Sequence, residues 1–187
     1  MPSLYEGSPN ILLDSLNISL PVLSSNCSGA KDILAHQSKF IFKVDDIEDL
    51  INDKNILTFG KDNFLLFELS FFSEPQNLNE VIWSMREAGY NPVLAHVERY
   101  AYWHNDYDKV EEMVNRGVKL QMNIGSLTGS YGPEIKLFAE KLVDDEVVEF
   151  VGSDCHHIQH LEMLDYAKKL PYFHKLIQQE QILNNSL

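Results

Sequence analysis

From Phe64 onward, short apolar runs alternate with longer stretches whose apolar residues recur at helical spacing, the pattern of βα units that build a parallel sheet. Phe64 to Leu69 (FLLFEL) reads as a buried strand, and Leu78 to Ala88 as a helix with Val81, Ile82 and Met85 on one face. Pro92 to His96 (PVLAH) forms the second strand. Tyr107 to Arg116 forms the second helix, closed by Gly117 as a left-handed cap. A third unit pairs a strand at Val118 to Ile124 with a helix at Glu134 to Val143, and a fourth pairs Val147 to Val151 with His160 to Lys169. Trp83 and Trp103 are assigned to packing, whereas Tyr100, Tyr102 and Trp103 follow the second strand closely enough to wall a pocket.

The first fifty residues have another texture. Ser8 and Pro9 suit the cap and first position of a helix running to Leu16, Leu20 to Ser24 reads as a strand, and Gly29 to Leu34 opens a further helix. Asp45 to Asp53 is acidic and fits a helix or a linker, which divides the chain into units at residues 1–50 and 51–187. A total of 187 residues suits one ordinary domain rather than two large ones.

Charge narrows the choice of function. There are 28 acidic against 15 basic residues, a formal charge of -13, and the lysines and arginines are scattered rather than gathered in a stripe. Such a surface argues against nucleic acid and against anionic membranes, and no apolar run is long enough to span a bilayer. Two cysteines and no signal-like start point to the cytoplasm. A cysteine phosphatase needs an arginine six residues after its thiolate. Those positions hold Ile33 and Leu161, so that chemistry is excluded. An anionic substrate would instead need metal cations to offset the acidic field.

The titratable residues fall at one place in the repeat. Glu68 ends the first strand, His96 the second, Asn123 the third, and Asp154 with His156 lie just past the fourth, at spacings of 28, 27 and 31 residues. Adjacent parallel strands open their C-terminal ends on a common face, so residues one βα unit apart converge. Two carboxylates and two imidazoles meeting there make a mixed oxygen and nitrogen site suited to manganese, iron or zinc. Bridged ions of this kind generate hydroxide and clamp phosphate oxygens. Against this stands the blander reading of each residue alone: a solvated strand carboxylate, a structural imidazole, a helix cap. His157 and His160 read as residues lining or backing the site, and His36, His104 and His174 as surface or packing residues.

The segments AHVERY (Ala95 to Tyr100), GSDCHH (Gly152 to His157), LFELSF (Leu66 to Phe71) and QMNIGSLTGSYG (Gln121 to Gly132) resemble the PHP-domain tyrosine phosphatases of bacterial capsule and exopolysaccharide regulation. The resemblance runs over about the last 130 residues, in order and at matching spacing. It implies an α/β fold, part of a PHP-type (β/α) barrel of about four βα units. It also implies metal ligands at Glu68, His96, Asp154 and His156, phosphate binding by Arg99, and a divalent metal, manganese first with iron or zinc as alternatives. The implied partner is a phosphotyrosine protein, namely a tyrosine kinase of polysaccharide biosynthesis. Two departures stand out: Val97 replaces a proline, and the His-x-His element with which the family begins occurs nowhere in this chain.

Ser3 to Leu34 resembles instead the nucleotide-sugar segment of GT-B retaining glycosyltransferases, with Glu6 and Asp14 at the two donor-holding positions, which implies a Rossmann-like N-terminal fragment. Three functional classes follow: a metal-dependent tyrosine phosphatase, an inactive fused remnant that self-associates through open sheet edges, and a glycosyltransferase fragment.

Overall fold

A computed structural model of the chain describes residues 24–25, 41–42, 56, 58–155 and 158–184. The expectations placed on residues 1–23 and on the Asp45 to Asp53 segment, Glu6 and Asp14 among them, lie outside these residues, as do His36, His156 and His157. Two dipeptides, Ser24–Ser25 and Ile41–Phe42, pair in parallel.

The main sheet has four strands: β1 (Phe64–Phe67), β2 (Asn91–Leu94), β3 (Lys119–Asn123) and β4 (Phe150–Gly152). They lie in the order β1-β2-β3-β4, every pair parallel, as the alternation of apolar runs and helices predicts. Helices α1 (Leu78–Glu87), α2 (Asp108–Asn115) and α3 (Pro133–Asp144) connect them, and α4 (Ile158–Ala167) and α5 (Pro171–Ile177) follow β4. Local chemistry explains the helix ends. In α3, Pro133 takes the first turn, where its missing N–H is no loss, and Glu134 and Lys141 complement the helix dipole at its two ends.

The strands bury both faces. Leu65, Phe67, Leu94, Leu120 and Met122 share one core with Ile82, Met85, Met113 and Leu142 from the helices. The opposite face carries Phe64, Val93 and Phe150, with Phe59, Leu66 and Leu183 packed against them and, among the described residues, no helical residue in that cluster. The rings of Phe59, Phe64 and Phe150 meet at centroid distances of 5.0 to 5.5 Å, within the range of favourable tilted and edge contacts. At the free side of β4, Leu183 N–H donates to Glu149 O, and the Asn184 amide exchanges two hydrogen bonds with the Val151 backbone at 2.8 and 2.9 Å. A side-chain amide thus imitates a neighbouring strand and blunts the edge.

Several sequence expectations shift here. Trp83 does not pack: it is 65% exposed, because α1 turns Leu78, Val81, Ile82 and Met85 inward and position 83 to the solvent side. The last strand is Phe150–Gly152 rather than Val147 to Val151, and α5, opened by Pro171, was not anticipated. Gly117 does take the left-handed conformation expected of it, with φ +78°, and a Cβ there would run into the Arg86 guanidinium that reaches over to the Arg116 carbonyl. Gly117→Ala is therefore expected to lower the unfolding free energy by about 1–2 kcal/mol, measurable as a shift of the urea midpoint with unchanged slope.

Candidate active site at the strand ends

Each strand hands one polar residue to the same end of the sheet. Glu68 follows β1 directly, Asn123 ends β3, and His96 and Asp154 each stand two residues beyond their strands. His96 (φ 38°) and Asp154 (φ 47°) both occupy the left-handed region, which Asn, Asp and His tolerate better than other residues but which still costs energy. Two corresponding non-glycine outliers, on the loops after β2 and β4, mark a place where surrounding contacts dictate side-chain direction.

What dictates it is visible. After His96 the chain makes a single 3-10 turn, Val97–Arg99, with Arg99 N–H bonded to His96 O at 2.9 Å. His96 thus caps the turn and Arg99 ends it, the imidazole meeting Glu68 and the guanidinium meeting Asp154. Glu98 points the other way. It is fully buried, and its Oε1 accepts from the Asn123 N–H at 3.1 Å and the Ser126 hydroxyl at 2.6 Å. Burial pushes its carboxyl above the ordinary range. The Tyr100 hydroxyl accepts from Leu69 N–H and donates to Ala95 O, clipping the loop that follows Glu68 to the residue before His96. Tyr100 and Trp103 are thus buried braces rather than pocket walls, and the Tyr102 hydroxyl ties the same loop through Ser70 O.

His96 Nε2 lies 3.1 Å from Glu68 Oε2, with both side chains largely buried. A hydrogen-bond chain then crosses the sheet. Gln121 Oε1 accepts from His96 N–H, Gln121 Nε2 donates to Asn123 Oδ1, and Asn123 Nδ2 donates to Asp154 Oδ2 at 3.0 Å. Arg99 meets the same Asp154 oxygen at 3.2 Å. Arg99 and Glu98 part company because the turn sends one toward Asp154 and the other into the core. Burial alone would raise the Glu68 carboxyl, but the His96 hydrogen bond and the nearby Arg99 charge hold it below its ordinary value. His160 Nδ1 contacts Asp154 O at 3.1 Å, and His104 stacks on Phe138.

Five of the residues that shape this end escaped the sequence reading as participants: Glu98, Gln121, Ser126, Phe71 and Tyr131. The one available signal was Glu98 itself, a carboxylate lying between two site residues on a single turn.

The donor set can be tested for a metal. Two ligands about 2.1 Å from one ion and at right angles to each other are about 3.0 Å apart, which matches the separation of Glu68 Oε2 and His96 Nε2. Two acceptors do not face each other at that distance unless a ring proton or a cation lies between them. The pair fits one edge of a coordination polyhedron. Among the described residues no three His, Cys, Asp or Glu side chains form a single metal-holding group.

The parallel α/β sheet thus gathers acidic, imidazole and guanidinium groups at its strand ends, the end at which open α/β sheets bind their ligands. The chain belongs to the capsular polysaccharide synthesis, CpsB/CapC family, whose pattern it matches over residues 24–175. It is 27% identical over 114 residues to the tyrosine-protein phosphatase YwqE of Bacillus subtilis, covering 61% of this chain and 45% of that one. Over 114 residues it is 30% identical to the putative tyrosine-protein phosphatase CapC of Staphylococcus aureus, with the same coverage. The tyrosine-protein phosphatase CpsB of Streptococcus agalactiae is 26% identical over 123 residues, covering 63% and 51%. The chain therefore spans about half the length of these relatives. Among solved structures, a chain from the crystal structures of YwqE from Bacillus subtilis and CpsB from Streptococcus pneumoniae, metal-dependent tyrosine phosphatases, superposes with a TM-score of 0.62 at 23% identity. That superposition covers 98% of this chain and 77% of that one.

Proposed function

We propose that the chain is a metal-dependent phosphoesterase of capsule synthesis that hydrolyses protein phosphotyrosine, with residues 51–187 carrying the site. The observation that supports this most directly is the gathering of the Glu68–His96 pair and the Arg99–Asp154 pair at one end of the sheet, joined by the hydrogen bonds of Gln121 and Asn123. Glu68, His96 and Asp154, with His156, would hold the metal, manganese first. When bound, a divalent cation of this kind supplies hydroxide at neutral pH and draws charge from phosphoryl oxygens.

The chain's own residues do the rest. Arg99 presents five N–H donors in one plane, and among the described residues spends one on Asp154. The others are available to a phosphoryl group, and a charge-assisted fork of this kind is stronger and more directional than a lone ammonium. Asp154 in turn is oriented by Asn123, so the arginine is held from behind before substrate arrives. Among the described residues the helices cover one face of the sheet and aromatic side chains the other, which supports reading the sheet as a sector of a PHP-type barrel. No described helix is long and apolar enough to cross a membrane, and the proposed partner is a phosphotyrosine-bearing kinase met in the cytoplasm.

The test is hydrolysis of p-nitrophenyl phosphate by the full chain after chelation and after readdition of Mn²⁺. The expected outcome is turnover that vanishes with chelation and returns with Mn²⁺. Turnover indifferent to metal, or none under any metal, would refute the proposal.

A further inference from the structure

Arg99 is not held by Asp154 alone. Its Cζ lies 4.9 Å from the ring centroid of Phe71 and 4.9 Å from that of Tyr131, over both rings. The two rings come from different strand-end loops, 60 residues apart in the chain. Phe71 sits on the loop that follows Glu68, where its ring also approaches those of His96 at 5.2 Å and Tyr100 at 5.8 Å. Tyr131 is presented by a tight turn between Gly129 and Gly132, closed by Gly132 N–H on Gly129 O at 3.0 Å. Both glycines have positive φ, +82° and +113°, so this turn could not be built from ordinary residues without strain. The backbone is thus adapted on one side, and the first strand-end loop on the other, to bring an aromatic ring to one guanidinium.

A guanidinium in this setting offers a phosphate only the N–H groups at its edge. A phosphate bound at that edge would carry its organic group, one P–O bond away, toward the same two rings. An aryl group can stack there, whereas a short alkyl group gains little and draws the peptide backbone behind it up against the rings.

We propose that Phe71 and Tyr131 are specificity-determining residues that make the Arg99 site select aryl over alkyl phosphomonoesters. This rests on the reading of Arg99 as the phosphate-binding group. The two are separable by binding experiments that need no turnover. The full chain, saturated with Mn²⁺, is titrated calorimetrically with benzylphosphonate, methylphosphonate and inorganic phosphate; the P–C bond of the two phosphonates resists hydrolysis. Benzylphosphonate is expected to bind about tenfold more tightly than methylphosphonate, the scale of one or two aromatic contacts. Phe71→Leu and Tyr131→Leu should each lower the ratio of benzylphosphonate to methylphosphonate affinity, a ratio in which any loss of Arg99 support common to all the ligands cancels, and Tyr131→Phe should retain it.

Equal affinity of the unaltered chain for the two phosphonates would overturn the proposal whether or not the variants fold. An unchanged ratio in both leucine variants would do the same and leave the phosphatase reading standing. Binding of none of the three ligands would overturn the reading of Arg99 and the specificity role with it.

Discussion

His96→Ala is expected to abolish Mn²⁺-dependent hydrolysis of p-nitrophenyl phosphate to below about one part in 10², beyond the 10–100-fold cost typical of residues that merely back a ligand. The substitution removes the imidazole that faces Glu68 at 3.1 Å and takes from that largely buried carboxylate its side-chain hydrogen-bond partner. It also puts alanine at φ 38°, a conformation in which histidine is better tolerated. Two measurements separate chemistry from collapse: metal content of the purified variant by mass spectrometry, and its thermal midpoint. The expected pattern is loss of bound metal with a small thermal shift. Activity retained within about threefold would mean that His96 is not part of the metal-holding edge, whatever the stability.

The second large effect concerns a residue that touches no substrate. Glu98→Ala is expected to lower the unfolding free energy by about 2–4 kcal/mol, because it strands the Asn123 N–H and the Ser126 hydroxyl, each buried, at about 1–3 kcal/mol per unmet group. Part of that loss is offset, since burial already disfavours the charged carboxyl. Glu98→Gln keeps an acceptor for the same two donors and is expected to lose less than half as much. Activity should follow stability only in part. Glu98 pins the turn carrying His96 and Arg99 to the end of β3, so the alanine variant should also lose affinity for inorganic phosphate under conditions where it is fully folded. Chemical denaturation of the three proteins decides the first point. Equal stabilities for alanine and glutamine would show that the carboxyl's two acceptor bonds contribute nothing net.

Much of the framework was legible in the residue pattern. The four strands, their parallel order and the three connecting helices follow from apolar runs alternating with helical spacing, because those periods are properties of local backbone geometry. The strand-end positions of Glu68, His96, Asn123 and Asp154 followed from the same repeat. The left-handed cap at Gly117 was legible for a similar reason, since a positive φ needs only a missing Cβ. Trp83 was misread as packed because an aromatic residue on an amphipathic helix gives no local sign of which side it faces when the apolar stripe is broad.

The pairing of groups at the site was not legible. Nothing in AHVERY says that the glutamate goes into the core while its neighbours go to the site; that depends on a 3-10 turn whose direction is set by Tyr100 clipping two loops together across 31 residues. Nor could spacing reveal that Asp154 would face Arg99 and Asn123 while Glu68 faced His96, or that Phe71 and Tyr131 would meet at one guanidinium.

By itself, then, the sequence determined which residues end the strands and what chemistry they can carry, since both are local. Which of them touch, and which ring lies against which charge, only the tertiary structure decided. Those contacts depend on loops whose conformations are fixed by buried hydrogen bonds to residues far away in the chain.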